Sequence, residues 1–191
     1  MTELVRNQRM PRTKIGPLVS AGLVLGVGLG GFFDGILLHQ ILQWHNMLSS
    51  VVPPTNLVAM KYNMIWDGLF HAAVWTACGV GIALLFRAGR RSDAVWSGRL
   101  LAGSMLGGWG LFNLVEGTID HFVLGLHHVH PGAGQFAWDV GFVAIAGAGF
   151  ILLGYALARS ARARRPKLVS VPVPSVRPAF TGPRMATITE S

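Results

Sequence analysis

The sequence predicts an all-α integral membrane protein, a four-helix bundle with both termini in the cytoplasm. Three observations predict it. About half of the 191 residues are apolar and only 13% are charged, against roughly 25% charged in soluble domains. The apolar residues gather into four stretches, each able to supply the roughly 20 residues that cross a hydrocarbon core of about 30 Å. The net charge of +8 is segregated: the Lys and Arg residues avoid the apolar stretches. That segregation removes the nucleic-acid reading of a basic chain, which needs a charged face.

The elements follow in order. Residues 1–15 are a basic cytoplasmic segment (Arg6, Arg9, Arg12, Lys14). The apolar run behind it has no small-residue cleavage site and passes directly into GFFDGILLHQ, so it reads as a retained span and not a signal peptide. The four spans cover about 16–48, 64–86, 100–126 and 136–158 of a single domain, 16–158. Four basic residues precede span 1, four lie between spans 2 and 3, seven follow span 4, and Lys61 alone falls on the other side. The positive-inside rule places both termini in the cytoplasm, and the expected location is a bacterial inner membrane. Trp44, Trp66 and Trp138 suit an outer aromatic belt and Trp96 an inner one. Residues 159–191 are basic and Pro-rich, a composition that predicts a disordered tail. Gly22, Gly26 and Gly30 in span 1, and Gly103 and Gly107 in span 3, are small-xxx-small strips that let helices approach closely. They serve packing within the bundle or a homo-oligomer contact.

The chemistry lies in the polar residues of these spans. Five of the eight acids (Asp34, Asp67, Glu116, Asp120, Asp139) lie in or at the edge of a span, and all seven histidines fall on the outer half. A charged side chain at the centre of a spanning helix costs about 2.5–3.5 kcal/mol, so these acids must share partners. A helix rise of about 1.5 Å per residue brings them from four helices to one shallow layer under the outer surface. Asp67 and His71 share a helix face, as do Glu116 and Asp120, with Asn113 near the same side. In a regular helix His121 points about 100° away from Asp120, and His39 points away from Asp34 and His45.

Imidazole and carboxylate on facing helices suit a divalent metal. The expected ligands are His39, His45, Asp67, His71, Glu116 and His121. Asp34, Asn113, Asp120, His127, His128 and Asp139 are supporting or alternative ligands. Iron or zinc fits this donor set best, and copper is a third choice because Met47, Met60 and Met64 lie nearby. Haem held by two histidines is another alternative. The single cysteine, Cys78, excludes an internal disulfide and a multi-cysteine zinc site. No phosphate-binding glycine loop and no G-x-S-x-G elbow is present.

The motifs GFFDGILLHQILQWH, DGLFH and GGWGLFNLVEGTIDHFVLGLHHVHPG resemble a bacterial family of predicted membrane proteins, domain of unknown function twenty-two forty-three. The resemblance covers about residues 16–158 and implies the four-span layout without implying an activity. The residues themselves support a metalloenzyme acting on a lipid-like or quinone-like substrate. The alternatives are a non-catalytic metal-handling or assembly factor, a haem protein, and a structural or proton-conducting bundle. The expected partners are the lipid bilayer and a membrane protein or second copy, with no nucleic acid.

Overall fold

The computed structural model describes residues 13–163. The N-terminal segment up to residue 12 and the tail beyond residue 163, including its expected disorder, lie outside the described residues. Among those described, the chain is helical, with one isolated bridge between Lys14 and Ala94 and no strand.

Helix α1 is Gly16–Phe33 and continues as a π-helical segment, Asp34–Ile41. Helix α2 is Leu57–Gly89. Helix α3 is Gly98–Glu116 and continues as a second π segment, Gly117–Val123. Helix α4, Gln135–Gly141, runs through a third π segment, Phe142–Gly149, into α5, Phe150–Ala163. Local chemistry explains the starts. Pro17 sits in the first turn of α1, where its missing N–H costs nothing. Asn56 caps α2 by accepting from the Val58 and Ala59 amides, a contact worth about 1 kcal/mol. Ser97 caps α3 through the Leu100 amide.

Among the described residues three helices are long and apolar enough to cross a membrane: Gly16–Ile41, Leu57–Gly89 and Gln135–Ala161. The rod built on α3 is not among them, because its apolar run is broken by Ser104, Asn113 and Glu116, all buried. These polar residues face protein, since α3 packs against α1 on one side and α5 on the other. Helix α2 packs on the far side of α1, so the packing order is α2, α1, α3, α5. The flanking helices expose their apolar faces: the apolar windows of α2 and of the α4–α5 rod are 11% buried, that of α1 50%.

Glycine sets the central contact. A Cβ on Gly26 would strike the Met105 carbonyl, and one on Gly108 would strike the Leu23 carbonyl. The backbones of α1 and α3 therefore touch, as small residues allow in a membrane. Gly22, Gly26 and Gly30 face Ser104, Met105 and Trp109 in rising order, so α1 and α3 run parallel. Gly28, Gly31 and Gly35 face Cys78, Val74 and His71 in falling order, so α2 runs antiparallel to α1. The π segments on α1 and α3 consequently lie at one end of the molecule. At the opposite end, the Lys14 and Arg91 side chains clasp Asp93 at 3.2 and 2.9 Å, and hydrogen bonds from Arg91 and Lys14 hold that half-buried carboxyl down at about 2.

The first helix ends at Ile41 and does not continue to Leu48. Gln43 adopts a left-handed φ of 51°, which turns the chain back over the helix end. The turn is closed by bonds from Leu42 N to Leu37 O and Trp44 N to Leu38 O.

Candidate metal centre

The π segments decide which side chains meet. In an α-helix, residues five apart diverge by roughly 140°. A π-helix is bonded from i to i+5 and winds more loosely, so residues five apart come much closer to one face. His39 is thereby brought to Asp34, Nε2 to Oδ2 at 3.2 Å, and His121 to Glu116, Nε2 to Oε1 at 3.4 Å. Neither meeting follows from regular helix geometry, which points both histidines away.

The turn at Gln43 carries His45 back so that its ring centroid lies 4.5 Å from that of His39. The same turn recurs after the second π segment. Gly125 has φ 59°, and Leu124 N and Leu126 N bond to Ile119 O and Asp120 O. This turn folds His127 inward, where its ring stacks on His45 at 4.6 Å and 10°. Each of the stacked rings also bonds the backbone of the other segment. His45 Nδ1 donates to the Val129 carbonyl at 2.9 Å, and His127 Nδ1 donates to the Met47 carbonyl at 3.2 Å.

Two carboxylates gather the surrounding groups. Asp67 on α2 takes His39 Nδ1 at 3.0 Å, the Met47 amide at 2.8 Å and the Asn46 amide group at 2.8 Å. Asp139 on α4 takes the Val129 amide at 2.9 Å and His128 Nδ1 at 2.6 Å, with His121 Nδ1 at 3.3 Å. Asp34, His39, His45, Asp67, Glu116, His121, His127 and Asp139 are all buried. Burial, with the neighbouring His127 and His39 rings, pushes the His45 imidazole down to about 2, so it is neutral.

The tautomers follow from the partners. A carbonyl or carboxylate can only accept, so Nδ1 of His39, His45 and His127 carries the hydrogen. In the neutral His45 ring Nε2 then holds a lone pair, whereas Nε2 of His39 and of His127 faces the Asp34 and Glu116 carboxylates at 3.2 and 3.0 Å. His39 Nε2, His45 Nε2 and Glu116 Oε2 are buried with no hydrogen-bond partner. An outer acceptor on Nδ1 and a free Nε2 is the arrangement that supporting groups give to metal-binding histidines. One ligand atom from each of His39, His45 and His127 lies within 4.8 Å of the others, and the same holds for Glu116, His121 and His127. Either group could hold a metal ion.

Of the expected ligands, His39, His45, Glu116 and His121 stand in these groups. Asp67 stands behind His39 and orients it. His71 joins neither: its Nδ1 donates to the Asp67 carbonyl at 2.7 Å, and its ring lies beside Phe32 and Phe70. Among the supporting residues, His127 moves to the centre of both groups. Asp34 contacts His39, Asp139 gathers the second half, and His128 leans on Asp139 from the half-exposed side. Asn113 bonds the Ala146 carbonyl across to the fourth rod, at 2.9 Å. Asp120 is half-buried and lines a separate pocket with Met47 and Phe70.

One signal in the sequence marks this geometry and is absent from a span-by-span reading. DGILLHQILQWH (34–45) and EGTIDHFVLGLH (116–127) share acid-Gly-x-x-x-His-x-x-Leu-x-x-His. The spacing is 82 residues throughout: Asp34 to Glu116, His39 to His121, His45 to His127. The bonds repeat with the residues, since Met47 and Val129 each donate an amide to the aspartate of the following helix. The α1–α2 half and the half from α3 onward thus carry the same motif with matching bonds, and the site lies between them.

Among the openings that reach the layer, two flank the first histidine pair. An apolar groove of about 590 Å³ runs past Phe33, Trp109, Trp138 and Phe150 and has Asp34 in its wall. A more polar bowl of about 520 Å³ is lined by His45, Asn46, Ser49 and His128. No curated protein and no solved structure matches the chain. The family of predicted membrane proteins described as DUF2243 matches residues 21–161, nearly three quarters of the sequence, and the chain belongs to that family.

Proposed function

We propose that this protein is a membrane metalloprotein whose four rods all cross the bacterial inner membrane, with both termini in the cytoplasm and the His/carboxylate layer under the outer face. The third rod crosses because its polar face is covered by α1 and α5. The observation that carries the metal reading is the set of three buried histidines, His39, His45 and His127. Each is pinned at Nδ1 by an acceptor, and their ligand atoms converge. Neutral imidazole and carboxylate donors favour iron or zinc over a soft metal. Bound there, the ion would supply Lewis acidity or, for iron, electron transfer.

The reading extends to an enzyme because the groove offers an apolar approach from the bilayer. Its volume is that of a small-molecule site, and a lipid-like or quinone-like substrate is the chemistry it suits. A second reading, metal handling without catalysis, is favoured by the polar bowl, which gives His45 an approach from the loop side. Elemental analysis of protein purified from its native membrane tests the metal. Wild type should hold iron or zinc, and His45→Ala/Glu116→Ala should hold none. Equal contents in the two would overturn the reading. Loss of metal to a mild chelator within seconds would favour handling, and retention over hours would favour the enzyme.

A further inference from the structure

The duplicated geometry points to a centre built for two metal ions, one per half. This inference rests on the metal reading above. We propose that the first ion is held by Asp34, His39 and His45 and the second by Glu116, His121 and His127. Each set is an acid, the histidine five residues on, and the histidine eleven on.

Three observations support a pair of ions. The first is distance. Metal bonds of about 2.0–2.1 Å leave neighbouring ligand atoms about 3.0–3.4 Å apart. Asp34 to His39 is 3.2 Å, with a His45 ligand atom within 4.8 Å of one on His39, and Glu116 to His121 is 3.4 Å and to His127 3.0 Å. The second is unused capacity in both halves. Nε2 of His39 and of His45 in the first half, and Glu116 Oε2 in the second, are buried without a hydrogen-bond partner. His127 cannot serve both ions, because Nδ1 is committed to the Met47 carbonyl and its one remaining nitrogen, Nε2, lies 3.0 Å from Glu116 Oε1. Its contact with Glu116 assigns it to the second set.

The third observation is charge. Asp34, Asp67, Glu116 and Asp139 are buried together, and Lys61, the one Lys or Arg at this end of the molecule among the described residues, is exposed. Buried charge must be paired or bound to metal. Beside neutral histidines, two divalent ions would balance four carboxylates, whereas one would leave two of them to protonated histidine partners.

The test is a titration of metal-free, detergent-solubilised full-length protein with Co²⁺, followed by its visible ligand-field bands and by elemental analysis after desalting. Wild type should bind two ions per chain. His39→Gln and His121→Gln should each bind one, and the double variant none. Asp34→Asn and Glu116→Gln give the same test with smaller disturbance, and each preparation is checked for a single monodisperse species. One ion per chain in monodisperse wild type would overturn the two-ion centre and leave the metal reading standing. No ion would overturn both. Two ions in wild type with complete loss in one single variant and none in its counterpart would overturn the assignment by halves.

Discussion

The two halves of the molecule perform the same construction with different parts. Each has a parallel-running inner helix, a π segment that turns an acid and a histidine onto one face, and a left-handed residue that folds a second histidine inward. Each ends on an aspartate of the next helix. The first half uses Asp34, Gln43 and Asn46 where the second uses Glu116, Gly125 and His128. The first needs a long return, from Met47 to Asp67, steadied by Asn63, which accepts the Leu48 amide and donates to the Val52 carbonyl. The second returns from Val129 to Asp139 within ten residues. What stays constant is backbone geometry and the placing of imidazole nitrogens. What varies is the acid's reach and the polarity of the rim.

The comparison is broken most severely at the α1–α3 crossing. Gly26→Val and Gly108→Val each drive a side chain into the other helix's backbone, and overpacking costs about 1–3 kcal/mol where neighbours can yield. Backbone yields less, so both variants should lose at least that much. The two losses, measured by thermal melts in detergent, should match. Next come the gathering aspartates. Asp67→Ala and Asp139→Ala each remove a support from one half, and loss of such support weakens metal by about 10–100-fold. Co²⁺ titration should show the weakening in one of two binding phases, not in both.

Acid gives a further contrast. His45 is held at about 2 in the fold, below its unfolded value of about 6.5. The stability tied to its neutral form is complete above about pH 6.5 and falls away as pH drops from there towards 2, by up to about 1.4 kcal/mol per unit. Metal-free wild type should therefore melt lower at pH 5 than at pH 7.5. The drop should shrink in His45→Gln, which has nothing to protonate.

The left-handed turn separates the halves by less. Gly125→Gln should destabilise by about 1 kcal/mol, since a side chain there adopts a conformation only glycine takes freely. Gln43→Gly should be neutral to slightly stabilising, by about 0.5 kcal/mol, once the extra freedom of the unfolded glycine is set against the relief. Chemical denaturation of the metal-free variants measures both. The smallest effect lies at the far end: Asp93→Asn loosens an exposed clasp and should change melting slightly, less so in high salt.

Much of this was legible in the residues. Apolar runs and their lengths gave the helices to within a few positions at most ends, and counting rise per residue put Asp34, Asp67, Glu116 and Asp139 in one layer. Helical faces were not legible. A projection at regular pitch turns His39 from Asp34 and His121 from Glu116, because nothing in a hydropathy pattern announces an i to i+5 helix. His127 looked like a loop residue for a related reason: its inward path depends on the positive φ at Gly125. The tandem motif at 34–45 and 116–127 would have supplied both facts. Residues that must do the same thing twice appear at the same spacing twice.

The reciprocal bonds from His45 to Val129 and from His127 to Met47 obey the rule of an isologous interface, in which each partner gives what it receives. Here both partners belong to one polypeptide. In a true homodimer every substitution is made on both sides of the axis at once, and the two sides cannot diverge. A covalent pair has no such constraint. Asn46 can remain an amide where its counterpart His128 is an imidazole, and Asp34 can stay short while Glu116 reaches further. Fusing the halves turns a symmetric interface into one whose two faces can be altered independently.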